Sequence, residues 1–150
     1  MNPPTGRLYA ASVRWLLPLA AAAAACGASY DGPPAVEVGT GVDQFVALHD
    51  GDAVPIIHGI QGGYHVWGSL RAHNLAPSSV KLRFTVTRVD DGVPITLRTD
   101  TVDLADSEHL GSAVFLPDPD AVRGRVCRLR LDVTDSANRA ASSEHLITPE

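Results

Sequence analysis

The sequence predicts an all-β fold, an antiparallel sandwich of about 7–9 short strands, with a small barrel as the alternative. Two observations carry it. Apolar residues past position 36 recur with period two, and turn-forming clusters interrupt them about every 8–12 residues. No stretch in that region carries the 3.6-residue periodicity of an amphipathic helix. The 150 residues, 45% hydrophobic and 19% charged, suit one globular domain.

The clearest strand alternates Val80, Leu82, Phe84 and Val86 with Lys81, Arg83, Thr85 and Thr87. A second alternates Cys127, Leu129, Leu131 and Val133 with Arg128, Arg130, Asp132 and Thr134. Alternation of this kind places one face in a core and the other in water. Weaker patterns predict strands over 44–48, 54–60, 64–73, 95–104, 110–116 and 139–147. The separators include Asp50-Gly51-Asp52, Gln61-Gly62-Gly63, Asp90-Asp91-Gly92 and Asp135-Ser136-Ala137-Asn138. Within 95–104 the apolar parity changes, from Ile95 and Leu97 to Val102 and Leu104, which calls for a bulge or a break.

The beginning of the chain has a different character. Arg7 and Arg14 precede an apolar run from Trp15 to Ala25 that ends at Cys26-Gly27, and no acidic residue occurs before Asp31. This is the layout of a secretory signal, with an apolar run too short for a bilayer, which needs about 17–25 helical residues. Residues 1–25 therefore read as a signal peptide, 26–35 as a tether carrying Gly32-Pro33-Pro34, and 36–150 as the folded domain. The segment Ala23-Ala24-Ala25-Cys26-Gly27 resembles the lipobox of bacterial lipoproteins, with Ala23 where that family usually has Leu. The resemblance implies cleavage before Cys26, lipidation of its sulfur, and, with Gly27 following, an outer-membrane address. The alternative is ordinary cleavage near Ala25 with Cys26 left as a thiol.

The stretch from Arg130 to Ser143 resembles the last hairpin of bacterial immunoglobulin-like and PKD-type domains, with Val133-Thr134-Asp135 followed by a tight turn and a small-residue return strand. The pattern from Gly39 through Phe45 and Asp50-Gly51 to Trp67 is similar to that of uncharacterised secreted lipoproteins of Gram-negative bacteria. That family has no established activity and implies no site residues.

Charge bounds the partners. Lys and Arg number 12 against 17 Asp and Glu, and removing the leader takes two bases and no acid, so 10 against 17 leaves −7. Such a body lacks the basic stripe that nucleic acid requires and is repelled by anionic head groups. A lipid on Cys26 is thus the expected link to the membrane. Other envelope proteins or polysaccharide are the expected partners.

The chemistry-bearing residues are sparse. Histidines 49, 58, 65, 73, 109 and 145 form neither His-x-His nor H-E-x-x-H, so no metal site is expected. Turn aspartates at 50, 52, 90, 91, 118 and 120 could pool around calcium, which takes about 6–8 oxygens, although hairpin turns favour the same residues. Gln61-Gly62-Gly63 lacks the remainder of a phosphate loop and reads as a tight turn. No G-x-S-x-G elbow occurs. Cys127 lies on the apolar parity of its strand, so a buried, inert thiol is expected, with a Cys26–Cys127 disulfide conceivable only if Cys26 carries no lipid. Ala105-Asp-Ser-Glu-His-Leu110 and Ala141-Ser-Ser-Glu-His-Leu146 agree at five of six positions, yet Glu108/His109 and Glu144/His145 are each adjacent on a strand and point to opposite faces.

Residues 64–73 are the most informative. A regular strand there turns Val66, Gly68, Leu70 and Ala72 inward and His65, Trp67, Ser69, Arg71 and His73 outward. His65, Trp67 and Arg71 would then form a stacking surface. The competing expectation, and the favoured one, is that the glycines shift the register and sink Trp67 in the core. The expected function is a non-catalytic binding or structural module of the cell envelope with no cofactor; next comes a carbohydrate- or calcium-binding module, and a hydrolase is third.

Overall fold

The computed structural model describes residues 30–150; the signal peptide expected over 1–25 and Cys26 lie outside the described residues. The described residues fold as two packed β-sheets, and among them a single 3₁₀ turn, Pro119–Ala121, stands besides the strands. In chain order the strands are β1 Ala35–Thr40, β2 Val46–Ala47, β3 Asp52–Val54, β4 Ile57–His58, β5 Tyr64–His73, β6 Val80–Arg88, β7 Pro94–Val102, β8 Glu108–Leu116, β9 Cys127–Thr134 and β10 Ala140–Pro149. One sheet is built on β5. Strand β1 and the short β4 share one flank of β5, β8 lies on the other, and β2 extends β1. The second sheet runs β3-β10-β9-β6-β7. Its pairings are antiparallel except β3 with β10, which is parallel.

The sandwich forms because the two strongest alternating patterns face each other's sheets. Val80, Leu82, Phe84 and Val86 on β6, and Cys127, Leu129, Leu131 and Val133 on β9, are all essentially inaccessible to solvent. They meet Val38, Val66, Leu70, Val114 and Leu116 from the opposite sheet in one continuous core. Burying a side chain of this size stabilises by about 1.5–3 kcal/mol. Gly68 permits the closest approach: a Cβ there would lie 2.7 Å from Cε1 of Phe84.

The parity change within β7 has a physical origin. Thr96 pairs with Val86 but Pro94 pairs with Thr87, so Ile95 is an extra residue, a bulge. The bulge lets Ile95 pack on the core, as do Val102 and Leu104 further along, and leaves Leu97 exposed. A similar irregularity shifts β8 against β5 between Gly68 and Leu70, where Gly111 takes φ +73°.

Three expectations about strands need correction. The predicted strand over 54–60 is two pieces, β3 and β4, because Pro55 lacks an amide proton for the ladder. The predicted 44–48 strand shrinks to Val46–Ala47. Strand β1 begins at Ala35, one residue inside the predicted tether, and was not singled out because its Gly39-Thr40-Gly41 ending weakens the alternation. Gly39 is required there, since a Cβ would lie 2.5 Å from both the Phe45 ring and the Val46 carbonyl oxygen.

Candidate functional site

Strand β5 keeps a regular two-residue alternation over its length. Val66, Gly68, Leu70 and Ala72 are buried in the sandwich, so Trp67 lies on the outer face and is only half-buried. The favoured expectation of a core tryptophan is therefore wrong. Register is pinned by the burial of Val66, Leu70 and Ala72 and by Gly68, where any side chain would run into the Phe84 ring. Gly62 and Gly63, at φ +86° and +82°, bend the chain before the strand begins and leave its parity untouched.

Trp67 is not left fully wet, because side chains of the flanking strands and of the loop before β5 border it. Strand β4 pairs with the start of β5, Ile57 opposite His65 and His58 opposite Tyr64. The loop from Gly59 to Gly63 closes on itself through Gly59 N–H to the Gly63 carbonyl (3.0 Å) and Gly62 N–H to the Gly59 carbonyl (2.9 Å). On the other side β8 sets Phe115 opposite His65 and Ala113 opposite Trp67. The result is a recess of about 480 Å³ lined by Ile57, Ile60, His65, Trp67, Ala113 and Phe115, with His58, Gly59, Gln61 and Gly62 at its margin. That volume falls in the range of about 300–1,000 Å³ usual for small-molecule sites.

His65 is the unusual member. It belongs to the outward parity yet is only 6% exposed, wedged edge-on against Trp67 (centroids 4.3 Å apart) and facing Phe115 at 6.0 Å. Its Nε2 is buried with no hydrogen-bond partner among the described residues. The corner of the ring next to Nε2, Cε1, would lie 3.8 Å from a Cβ placed on Gly59, another wall residue. Burial pushes its pKa down, so the imidazole is held neutral. A neutral, buried, unpaired ring nitrogen is costly, by about 1–3 kcal/mol, and few such groups occur in native folds.

Arg71 does not join this recess. It lies about 13 Å along β5 from Trp67, at roughly 3.3 Å per residue. Its guanidinium is held by Glu108 at 2.8 Å, stands near Glu37 at 3.7 Å and stacks on Phe45 at 4.4 Å. Between them Ser69 is sealed, donating to the Gly41 carbonyl at 2.6 Å and accepting from Gly111 N–H at 3.1 Å. Of the three residues singled out, the structure joins His65 and Trp67 and separates Arg71. Phe115 and the β4 wall were missed; Phe115 carries a faint signal as a large apolar residue on the polar parity of its strand.

The remaining chemical candidates are otherwise engaged. Glu108 binds Arg71 while His109 contacts Ser112 at 3.1 Å; Glu144 binds Arg128 and Arg130 while His145 contacts Asp50 at 3.1 Å. Each Glu–His pair is thus split between different partners. The Ser112 hydroxyl faces the core side of β8, and the residue is 4% exposed, which leaves no approach for a substrate carbonyl. The turn aspartates stabilise their own loops: Asp52 accepts from His49 N–H, Asp91 from Val93 N–H and Asp118 from Asp120 N–H. No group of three or more His, Cys, Asp or Glu among the described residues is placed to hold a metal ion. Cys127 is a buried free thiol whose pKa burial pushes up.

The described residues form an all-β sandwich with an open aromatic recess on its outer face. The sequence matches no protein-family model and no curated protein.

Proposed function

We propose that this chain is a non-catalytic binding module of the bacterial cell envelope, tethered by a lipid on Cys26 and making its contact through the His65–Trp67–Phe115 recess. The observation that carries the reading is the buried, unpartnered Nε2 of His65 at an aromatic hollow open to solvent. The side chains lining that hollow include no serine, cysteine, aspartate or glutamate to act with the imidazole, which supports binding over turnover.

Geometry also suits a tether. The chain enters the domain at Tyr30, whose ring lies under Arg139 (4.7 Å), and Pro33 accepts from Asn74 beyond the far end of β5. His65 is about 26 Å up that strand, at roughly 3.3 Å per residue. A lipid at residue 26 would hold the entry end near the bilayer and leave the recess pointing away from it. The sheet composition supports an immunoglobulin-like assignment within the same proposal: β1, β5 and β8 lie in one sheet and β6, β9 and β10 in the other, as in that fold.

The test has two arms. Cys26→Ser in the full chain should abolish metabolic labelling with a palmitate analogue and release the protein from membranes; a variant that still labels and sediments removes the anchor. In a chain carrying Cys26→Ser and Trp15→Phe, Trp67 is the sole indole. Envelope extracts should protect it from acrylamide quenching, and protection by none of the soluble, glycan or lipid fractions would remove the contact site.

A further inference from the structure

The second sheet turns a different surface to solvent, on the side of the sandwich away from the recess. The outward residues of its strands β6, β7, β9 and β10 include four cations, Lys81, Arg83, Arg128 and Arg130, against two carboxylates, Asp132 and Glu144. Residues 30–150 carry 10 bases against 17 acids, so this face reverses the sign of the body around it. Half of the face is neutral within itself. Arg130 holds Asp132 at 2.7 Å and Glu144 at 3.2 Å, and Arg128 holds Glu144 at 3.3 Å. Among the described residues every arginine except Arg83 has such a partner, and Lys81, the one lysine of the chain, has none. The carboxylates at the ends of the face are engaged by backbone: Asp103 accepts from Ser79 N–H at 2.8 Å and Asp50 from Leu146 N–H at 2.9 Å.

Lys81 and Arg83 project from the same side of β6, about 7 Å apart along the strand. Register sets Thr134 opposite Lys81 and Asp132 opposite Arg83, with Ala140 and Ser142 one strand further. Those last four are among the residues lining a shallow trough of about 220 Å³, left open by the small side chains of Ala140 and Ser142. Two unpaired cations beside a hydroxyl-bearing trough suit an anion that also carries hydroxyls. A guanidinium takes a carboxylate through two parallel N–H donors, and an ammonium takes a second as a point charge. Ser and Thr hydroxyls both donate and accept, as sugar hydroxyls do. Other anionic partners fit less well. Protein interfaces centre on buried aromatic or aliphatic anchors, and Leu97 is the one large apolar side chain turned outward on β6, β7 or β9. A nucleic-acid strand, charged at every nucleotide, calls for more than two unpaired cations. A bilayer would meet the surrounding acids as well. We propose that this face docks an acidic polysaccharide, a uronate-type chain whose carboxylates pair with Lys81 and Arg83 and whose hydroxyls meet Thr134 and Ser142. The assignment is independent of the recess, and either can fail alone.

The test titrates a galacturonate hexamer, and the same hexamer with its carboxyls methyl-esterified, into the full chain carrying Cys26→Ser and Trp15→Phe, with binding followed by NMR. The acid should shift the amides of Lys81, Arg83, Thr134 and Ser142 and leave the Trp67 indole N–H in place. It should bind about fivefold more tightly than the ester, as two exposed ion pairs allow. Raising NaCl from about 50 to about 200 mM should weaken it roughly threefold. Lys81→Gln combined with Arg83→Gln, both at exposed positions, should weaken the acid about fivefold and leave Tm unchanged. Equal binding of acid and ester, undiminished affinity in the double variant, shifts confined to the recess, or no binding at millimolar hexamer would overturn the proposal. Tighter binding of hexaglutamate or of phosphatidylglycerol vesicles at the same residues would also overturn it, giving the face to an acidic protein or to a bilayer.

Discussion

Asp135 offers the sharpest test of how the entry end of the domain is held. Its side chain is fully buried at the β9–β10 turn, yet it accepts five hydrogen bonds: from the backbone amides of Ala76 (3.0 Å), Ala137 (2.9 Å) and Arg139 (2.9 Å), and from Nε (3.0 Å) and Nη2 (2.7 Å) of Arg139. Burial alone would raise its pKa; the amides of Ala76 and Arg139 and the guanidinium overrule it and bring the carboxyl from the usual 3.8 down to about 2. At about 1.4 kcal/mol per unit, that fall contributes on the order of 2 kcal/mol. Because the folded pKa is depressed, the contribution is complete above pH 4 and drains away as pH falls through 2. Urea unfolding at pH 7, 4, 3 and 2 should therefore show the stability gap between the native chain and Asp135→Asn closing by about 2 kcal/mol between pH 4 and 2. Asp135→Ala, which strands three amides as well, should cost roughly 3 kcal/mol at pH 7 and lower Tm by about 10 °C. If native chain and Asp135→Asn lose stability in parallel across that range, the hydrogen-bonded carboxylate is not what depresses the pKa, and the account of this turn is wrong.

Three other outcomes follow from the packing. Gly68→Ala should destabilise by about 1–3 kcal/mol, because the new Cβ meets Phe84 at 2.7 and 2.9 Å in a core with no slack; thermal melts would show it. In the native chain the Cys127 thiol should resist Ellman's reagent at pH 8 and react stoichiometrically in urea, burial having both shielded it and raised its pKa. Ser143→Ala should cost about 1 kcal/mol and speed amide exchange at Val38, since the Ser143 hydroxyl accepts from Val38 N–H (3.1 Å) across the two sheets.

How much of this could be read from the residues differs from strand to strand. Strands β6 and β9 were legible because every second residue is aliphatic or aromatic and the intervening ones are charged or Thr, so burial and sequence carry one signal. Strand β5 is legible in its bounds, while the favoured register shift, and with it the core place of Trp67, is wrong. An indole's transfer energy favours burial, but that preference is partly met here by side chains of the flanking β4 and β8, elements more than seven residues distant that no local pattern announces. The split of 54–60 into β3 and β4 follows from a single proline. The parallel pairing of Ile147 to Pro149 with Asp52 to Val54 follows from chain topology and leaves no trace in either segment's composition.

The position of His65 shows why the site could be guessed only in part. Period two places it outward with Arg71 and His73, and outward histidines are ordinarily hydrated. What changes its character is the sharp return through Gly62 and Gly63, which lays Ile57 opposite it as an added half-strand, and the bulge at Gly111, which restores the register of β8 so that Phe115 arrives alongside. The half-strand lies at the edge of the sheet, and the bulge sets the register that also turns Val114 and Leu116 into the core. A fold selected for stability alone would solvate that imidazole or replace it with an aliphatic residue, at a gain of the desolvation cost it now carries. Keeping a neutral, unpaired nitrogen beneath two aromatic rings is expensive unless something else completes it. The same asymmetry places the hollow at the end of β5 away from Ala35 of β1, which pairs with His73 at its other end.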